Sequence, residues 1–396
     1  MPAIPLAFVA LYALLYASFG VSSPFMPRFF ESRGLSPERI GLLFGLGTGI
    51  RLLSGPLAGR IADLSGMVRA VLALSMLAGA SVAVALVRAD RMWAVIAIGL
   101  VHAAVLAPTT TLADALAVAA ARPRRGGRAR FEYGGVRGAA SAAFVAGSIV
   151  AGQVLRVATL DVVVRMHAAL LACAGVAVRY VPPLDAGRAG ETPEERSPIG
   201  GVAALLRLAA YRRLLVVAAL VLGSHAMHDA FAMVRWNAAG IGPGAASLLW
   251  SESVSAEVVM FLVLGPRLVA RLAPGGAMAV AALAGVVRWS VMASTTSLAA
   301  LALVQPLHGF TFALLHLACM RTIGATVSRH LAATAQSLYA VAATAVTGSL
   351  TVVSGVLYAR VGARGFLAMA CLCALAVPLA SRLPAIREDG TPPADA

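Results

Sequence analysis

The stretch GSHAMHDAFAMVRW (223–236) places His225, His228 and Asp229 directly after the apolar run LLVVAALVL. Their i, i+3, i+4 spacing puts all three on one face of a helix. An imidazole changes charge in the physiological pH range and a neighbouring carboxylate favours its protonated form, so the chemistry on offer is reversible binding of a proton or an anion. The alternative is a polar patch near the mouth of a vestibule. Similar groups follow in later apolar runs. Glu252 and Glu257 lie in LLWSESVSAEVVMF, five apart and so about 140° round a helix, with Glu257 the deeper. Arg288 precedes Trp289, and LVQPLHGFTFALLHLACM carries Gln305, His308 and His316 with Phe310 and Phe312. A carboxylate and an arginine in consecutive apolar runs invite a pair, since either alone is expensive there. Protonating Glu257 would break that pair and release Arg288 to an anionic substrate; a purely structural salt bridge is the other reading. The first half offers Arg51 in GIRLLSG, which can meet a carboxylate, and Asp114 in PTTTLADAL, which can neutralise Arg51 when no substrate is bound. His102 lies twelve residues before Asp114, and Tyr12 and Tyr16 stand at i and i+4.

These residues need elements that hold them, and composition says which. The 396 residues are 60% hydrophobic and 12% charged, with mean hydropathy +0.86; a soluble domain has about a quarter of its residues charged. Apolar runs recur over 5–27, 38–60, 69–88, 92–119, 138–156, 162–180, 213–236, 245–265, 276–294, 298–322, 332–356 and 363–382. Each approaches or exceeds the roughly 20 residues that cross a bilayer core, and backbone in lipid must satisfy its own hydrogen bonds. The expected fold is an all-α polytopic membrane protein with twelve transmembrane helices; the alternation of a transmembrane barrel is absent. The amino terminus lacks a basic n-region, so an uncleaved first span is expected rather than a signal peptide.

The formal charge is +15, and every basic residue is an arginine. With both termini inside, inward segments carry 20 arginines and outward segments nine, the bias expected for cytoplasmic termini. No basic domain, paired-cysteine motif or stacking module points to nucleic acid. Cys173, Cys319, Cys371 and Cys373 lie in apolar segments without CxxC spacing and read as small core residues. No HExxH or tight ligand cluster suggests a metal, and no GxxxxGK[ST] suggests nucleotide drive. The hydrophilic segment VPPLDAGRAGETPEERSPIG divides the chain into a six-helix half at 1–180, a linker with an amphipathic segment at 181–212, and a six-helix half with a short tail at 213–396. The halves echo each other: GPLAGRIADLSG begins at Gly55 and GPRLVARLAPGG at Gly265, about 210 residues apart, and GSIVAG at Gly147 pairs with GSLTVVSG at Gly348. Paired halves with matching signals suit a transporter with internal repeats.

GRIADLSGMVR, after the second span, resembles the loop-two–three signature of the major facilitator superfamily, matching at Gly59, Ala62, Asp63, Gly66 and Arg69, with Leu64 where a basic residue is usual. FEYGGVRGAASAAFVAGS, GSHAMHDAF, LLWSESVSAEVVMF, Arg288–Trp289, LVQPLHGFTFALLHLACM, AQSLYA and SGVLYARVG resemble the phenylpropionate permease-like branch of that superfamily, which is more distantly similar to lactose permease and nucleoside:proton symporters. The resemblance implies two pseudo-symmetric halves, a bacterial inner-membrane location, and proton-coupled import of a small organic solute by alternating access. It casts Gly59, Asp63, Gly66 and Arg69 as gating residues, with a helix-terminal surface pair as the plainer reading of Asp63. Proton-coupling candidates are His225, His228, Asp229, Glu257 and His308. Substrate-binding candidates are Arg51, Asp114, Arg288, Trp289 and Gln305. The expected solute is an aromatic monocarboxylate; a nucleoside, a sugar or an exported drug are the alternatives, and a membrane enzyme is the non-transport one. No cofactor beyond the proton is expected, the partners are the solute and the bilayer, and a monomer needs no further assumption.

Overall fold

Apolar runs of this length become helices because a helix satisfies every backbone donor and acceptor inside one segment. The computed structural model describes residues 3–121, 131–182, 198–328 and 331–383. The arginines within 122–130, Arg188, Arg196, Arg329 and Arg387, linker residues 183–197 and the tail from 384 lie outside the described residues. The helices are α1 (Ala3–Ser22), α2 (Met26–Ser32), α3 (Pro37–Ser65), α4 (Val68–Val87), α5 (Met92–Leu106), α6 (Thr109–Ala121), α7 (Tyr133–Val154), α8 (Leu160–Ala177), α9 (Pro198–Arg207), α10 (Ala209–Gly223), α11 (Ala226–Ala238), α12 (Pro243–Val259), α13 (Gly265–Ser294), α14 (Leu298–Val304), α15 (Leu315–Thr326), α16 (Ala332–Val361) and α17 (Gly365–Ser381).

Ten continuous helical stretches among the described residues are long and apolar enough to cross a membrane. Two of them, Pro243–Ser294 and Ala332–Ser381, run for 52 and 50 residues, enough for two crossings each, which makes twelve. The breaks have local causes. In the first, Ala273 takes φ 53 and ψ 162 just before Pro274, whose ring removes a donor. In the second, Gly362 takes φ 56, a backbone region open to glycine. The exterior is apolar, as lipid requires: Leu53, Leu64, Leu74, Leu262 and Leu303 are each at least 65% exposed.

Contacts divide the chain into two units. The first contains Met1–Ser36, Leu46–Thr192 and Ile241–Ser251; the second contains Pro37–Gly45, Pro193–Gly240 and Glu252–Ala396. This division departs from the contiguous stretches 1–180 and 213–396 at the starts of α3 and α12, and glycines explain both departures. Within the second unit, a Cβ on Gly41 would come within 2.7 Å of the Thr351 carbonyl oxygen, and one on Gly355 within 2.6 Å of the Pro37 carbonyl oxygen. Within the first, a Cβ on Gly152 would stand 2.1 Å from Ser247 Oγ. Small residues permit such backbone approach where lipid supplies no hydrophobic drive between helices.

The first unit is stitched most tightly along α1 and α7. A Cβ added to Gly20 would meet the Phe144 carbonyl oxygen at 2.0 Å, and one added to Gly147 the Ala17 carbonyl oxygen at 2.6 Å. Backbone cannot yield as a flexible side chain does, so Gly20→Val and Gly147→Val are expected to destabilise the protein by about 1–3 kcal/mol or more. Gly49→Val, with nothing within 4 Å of its Cβ position, is the control. Thermal unfolding of the three variants in one detergent should show lowered midpoints for the first two only.

Candidate functional site

The second unit gathers most of the polar side chains that stand within spans. The span Ala209–Ala238 is interrupted near its middle, where Ser224 and His225 separate α10 from α11. Ser224 Oγ donates to the Val221 carbonyl at 2.6 Å, and His225 Nδ1 lies 3.1 Å from the carbonyls of Val221 and Leu222. A carbonyl only accepts, so Nδ1 carries the hydrogen and leaves Nε2 to face Thr311 Oγ1 at 2.9 Å. The three side chains stay together but differ in exposure. His225 and His228 are buried, whereas the Asp229 side chain is 57% exposed.

Arg288 is the hub, with no exposed surface. Its NH1 lies 3.0 Å from His308 Nδ1, and its NH2 lies 2.9 Å from Gln305 Oε1 and 3.4 Å from His228 Nε2. A guanidinium only donates, so both histidine nitrogens that face it must be lone pairs. The hydrogens are thereby turned the other way: His228 Nδ1 toward Asp229 Oδ1 at 3.2 Å, and His308 Nε2 toward Glu257 Oε2 at 3.5 Å. The pair expected between Glu257 and Arg288 is thus relayed through His308, whose ring stands between them. Gln305 Oε1 also accepts from Ser253 at 2.8 Å, and the guanidinium lies over the Trp289 ring at 4.5 Å. Trp289 in turn donates to Ser224 Oγ at 2.8 Å.

Two π-helical turns shape this cluster: Met260–Leu264 directly follows α12, which carries Glu257, and Gly309–Leu314 directly follows His308. Such turns shift the register of every later side chain and recur at functional sites. Gly309 makes the close approach possible, because a Cβ there would stand 2.7 Å from the Ala256 carbonyl oxygen, next to Glu257. Glu257 also lies within electrostatic reach of His316, which contacts Tyr339 OH at 3.2 Å. Glu252 is only partly buried, and among the described residues no bond to this cluster engages it.

The first unit holds two smaller clusters. Asp114 accepts from Tyr12 OH at 2.5 Å and Tyr133 OH at 2.7 Å, with Arg137 at 3.6 Å. Arg137 also bonds to Tyr16 OH and lies over that ring at 5.1 Å. The face of α6 carrying Thr111, Asp114, Ala115, Val118 and Ala119 borders an open space of about 430 Å³. Asp114 therefore neutralises Arg137 and not Arg51, because Tyr133 and Arg137 stand one turn apart on α7 and face it together. The second cluster is a histidine pair, His102 and His167, with their Nε2 atoms 3.2 Å apart. Arg51 lies exposed on α3, within electrostatic reach of His102.

Of the gating candidates, Gly66 ends α3 in the left-handed region at φ 64, its N–H donating to the Asp63 carbonyl at 3.3 Å. Arg69 NH2 donates to the Arg179 carbonyl at 2.8 Å. Gly59 has open space where a Cβ would stand, and the Asp63 carboxylate is exposed, without a hydrogen bond or ion pair among the described residues. Arg137, Tyr133, His167, Thr311, Ser253 and Ser224 join the clusters without having been singled out by sequence. The i+4 relation of Arg137 to Tyr133 is the sequence signal that points to it. Among the described residues no group of three or more His, Cys, Asp or Glu is placed to hold a metal ion.

Removing a partner from the Arg288 hub should cost more than removing a distant one. Gln305→Leu strips a bond to a buried charge, worth about 1.5–3 kcal/mol, whereas Ser253→Ala removes a neutral bond worth about 1 kcal/mol. Thermal denaturation of the purified variants should rank them in that order.

Comparison with known proteins adds lineage to this geometry. The chain is 32% identical over 367 residues to a probable 3-phenylpropionic acid transporter of Escherichia coli, covering 91% of this chain and 92% of that protein. A crystal structure of the nucleoside transporter NupG superposes with TM-score 0.78 at 15% identity, covering 95% of this chain and 97% of that one. A bacterial homologue of the human lysosomal transporter Spinster, in an inward-facing and unoccupied conformation, superposes with TM-score 0.72 at 14% identity, covering 96% of each chain. These two likenesses show the fold. Residues 6–368 match the MFS_1 like family, and the chain belongs to that family: it is a multi-pass secondary transporter of the major facilitator fold.

Proposed function

We propose that this transporter imports a small aromatic monocarboxylate together with protons by alternating access, and that the Arg288 cluster is where anion and proton meet. One observation carries the reading: Arg288 Nε and Gln305 Nε2 are buried donors without an acceptor among the described residues. An unsatisfied buried donor costs about 1–3 kcal/mol, and the oxygens of a single carboxylate can accept from both. The Gln305 orientation is fixed, since its Oε1 must accept from the guanidinium, so its amide N–H groups are the ones left over. Phe312, partly exposed and stacked on His308 at 5.7 Å, supplies a ring face for an aromatic solute. The E. coli relative's description as a 3-phenylpropionic acid transporter supports the same solute class.

Glu257 is the proton acceptor in this scheme. A proton on its carboxylate leaves the His308–Arg288 bond intact, while a proton on His308 Nδ1 would expel the guanidinium. Proton binding at Glu257 thus discharges one of the two carboxylates that border the cluster and leaves Arg288 to the substrate carboxylate, with His225, His228 and Asp229 tuning the local charge. The arginine bias of 20 to nine supports cytoplasmic termini for a chain in a bacterial inner membrane. The chain works as a monomer, and Asp63 and Arg69 act at the inner gate.

Proteoliposomes enclosing a pH-sensitive dye test the scheme. Addition of 3-phenylpropionate should drive substrate-dependent proton entry with the wild type. Glu257→Gln should lose at least tenfold of that proton flux while still exchanging labelled substrate across an ungraded membrane, and Arg288→Gln should lose both. Wild-type coupling in Glu257→Gln, or a nucleoside or sugar moving protons where no carboxylate does, would overturn it.

A further inference from the structure

The scheme above leaves Arg51, His102 and His167 unused. His167 is 1% exposed, and its Nδ1 lies 2.9 Å from the Ser18 carbonyl oxygen of α1. The carbonyl can only accept, so Nδ1 carries the hydrogen and Nε2 of a neutral His167 is a lone pair. His102 Nε2, 3.2 Å away, must then supply the hydrogen between the rings. The order of atoms is therefore Ser18 carbonyl, His167 N–H, His167 lone pair, His102 N–H, and finally the lone pair on His102 Nδ1. No hydrogen bond among the described residues engages that last atom. The chain of bonds is closed at the buried end and basic at the His102 end, where the side chain is half-buried.

Arg51 lies within electrostatic reach of His102 for a reason visible in α3. Gly47 would place a Cβ 3.3 Å from the Ala103 Cβ, and Gly55 one 3.9 Å from the Ala107 Cβ. Arg51 stands one turn from each on the same helix face, which is the face turned toward α5 and His102. Arg137 has Asp114 and Arg288 has Asp229 acting on it, whereas no acidic residue among the described ones acts on Arg51. A cation at membrane depth ordinarily pairs.

The geometry points to a second site, in the first unit, where Arg51 binds an organic carboxylate and His102 Nδ1 takes up one proton with it. Arg51 opposes a charge on His102 until an anion neutralises it. By linkage, the proton then tightens the anion by the same factor as the anion favours the proton. The groups acting on His102 are His167 and Arg51. From α1 comes the Ser18 carbonyl, and on α8 Asp161 is held by Arg33 at 2.8 Å while Arg165 is exposed. The inference rests on the reading above for the class of anion alone.

Isotope-labelled histidine in nanodisc-embedded protein reads both tautomer and charge from the imidazole nitrogen shifts, with His102→Gln assigning the His102 signals. Before anion is added, His102 should be the neutral Nε2–H form and His167 the Nδ1–H form. Adding 3-phenylpropionate, or acetate as a minimal carboxylate, should raise the imidazolium population of His102 several-fold at fixed near-neutral pH. Arg51→Gln should abolish that response, Arg51→Lys should keep part of it, and Glu257→Gln should leave it whole. A His102 signal that ignores every carboxylate, or responds equally in Arg51→Gln, overturns the inference. A response to acetate in a protein that fails to transport phenylpropionate would uphold this site and sink the transport scheme instead.

Discussion

A guanidinium fully enclosed at Arg288 is the constraint around which the second unit is arranged. Arginine offers donors and nothing else, so every neighbour must present an acceptor. That requirement selects one tautomer of His228 and one of His308, orients Gln305, and sends the two imidazole hydrogens toward Asp229 and Glu257. The ring of Trp289 covers the guanidinium and is itself pinned through Ser224. A cluster with so few free choices is rigid in its hydrogen-bond pattern yet carries spare donors, a combination suited to admitting one anionic ligand and one proton without rebuilding the interior.

Regular helices alone would not bring these groups together. The interruption at Ser224–His225 frees backbone carbonyls that fix His225, and the π turns after Glu257 and His308 turn the flanking side chains relative to an unbroken helix. Gly309 removes the Cβ that would otherwise hold Ala256 away. Each irregularity sits beside a polar residue within a span. Departures of this kind are tolerated in a membrane where protein, rather than lipid, surrounds the backbone.

The first unit solves a related problem with different chemistry. There the charge that needs partners is the carboxylate of Asp114, and it obtains two tyrosine hydroxyls and Arg137. The His102–His167 pair is anchored on a backbone carbonyl at its buried end. An arginine hub in one unit and a carboxylate hub in the other show how a shared helical scaffold carries unlike binding chemistry, and membership of a transport family is consistent with both.

The twelve crossings were legible because hydropathy over about 20 residues is a local sum that needs no knowledge of neighbours. The loop signature at Gly59–Arg69 and the polar residues of GSHAMHDAF, LLWSESVSAEVVMF and LVQPLHGFTFALLHLACM were legible for the same reason: they are residue types at fixed spacing. That each buried charge must find a partner also followed from sequence, since the cost of isolation is a property of the group. Which partner it finds did not follow. Glu257 meets Arg288 through His308, Asp114 meets Arg137 and leaves Arg51, and Asp229 takes the hydrogen of the neighbouring His228. Partner choice depends on how far each helix is rotated about its axis and where it breaks or widens. One π turn or one close glycine contact changes that angle by tens of degrees, and only the packed structure decides it.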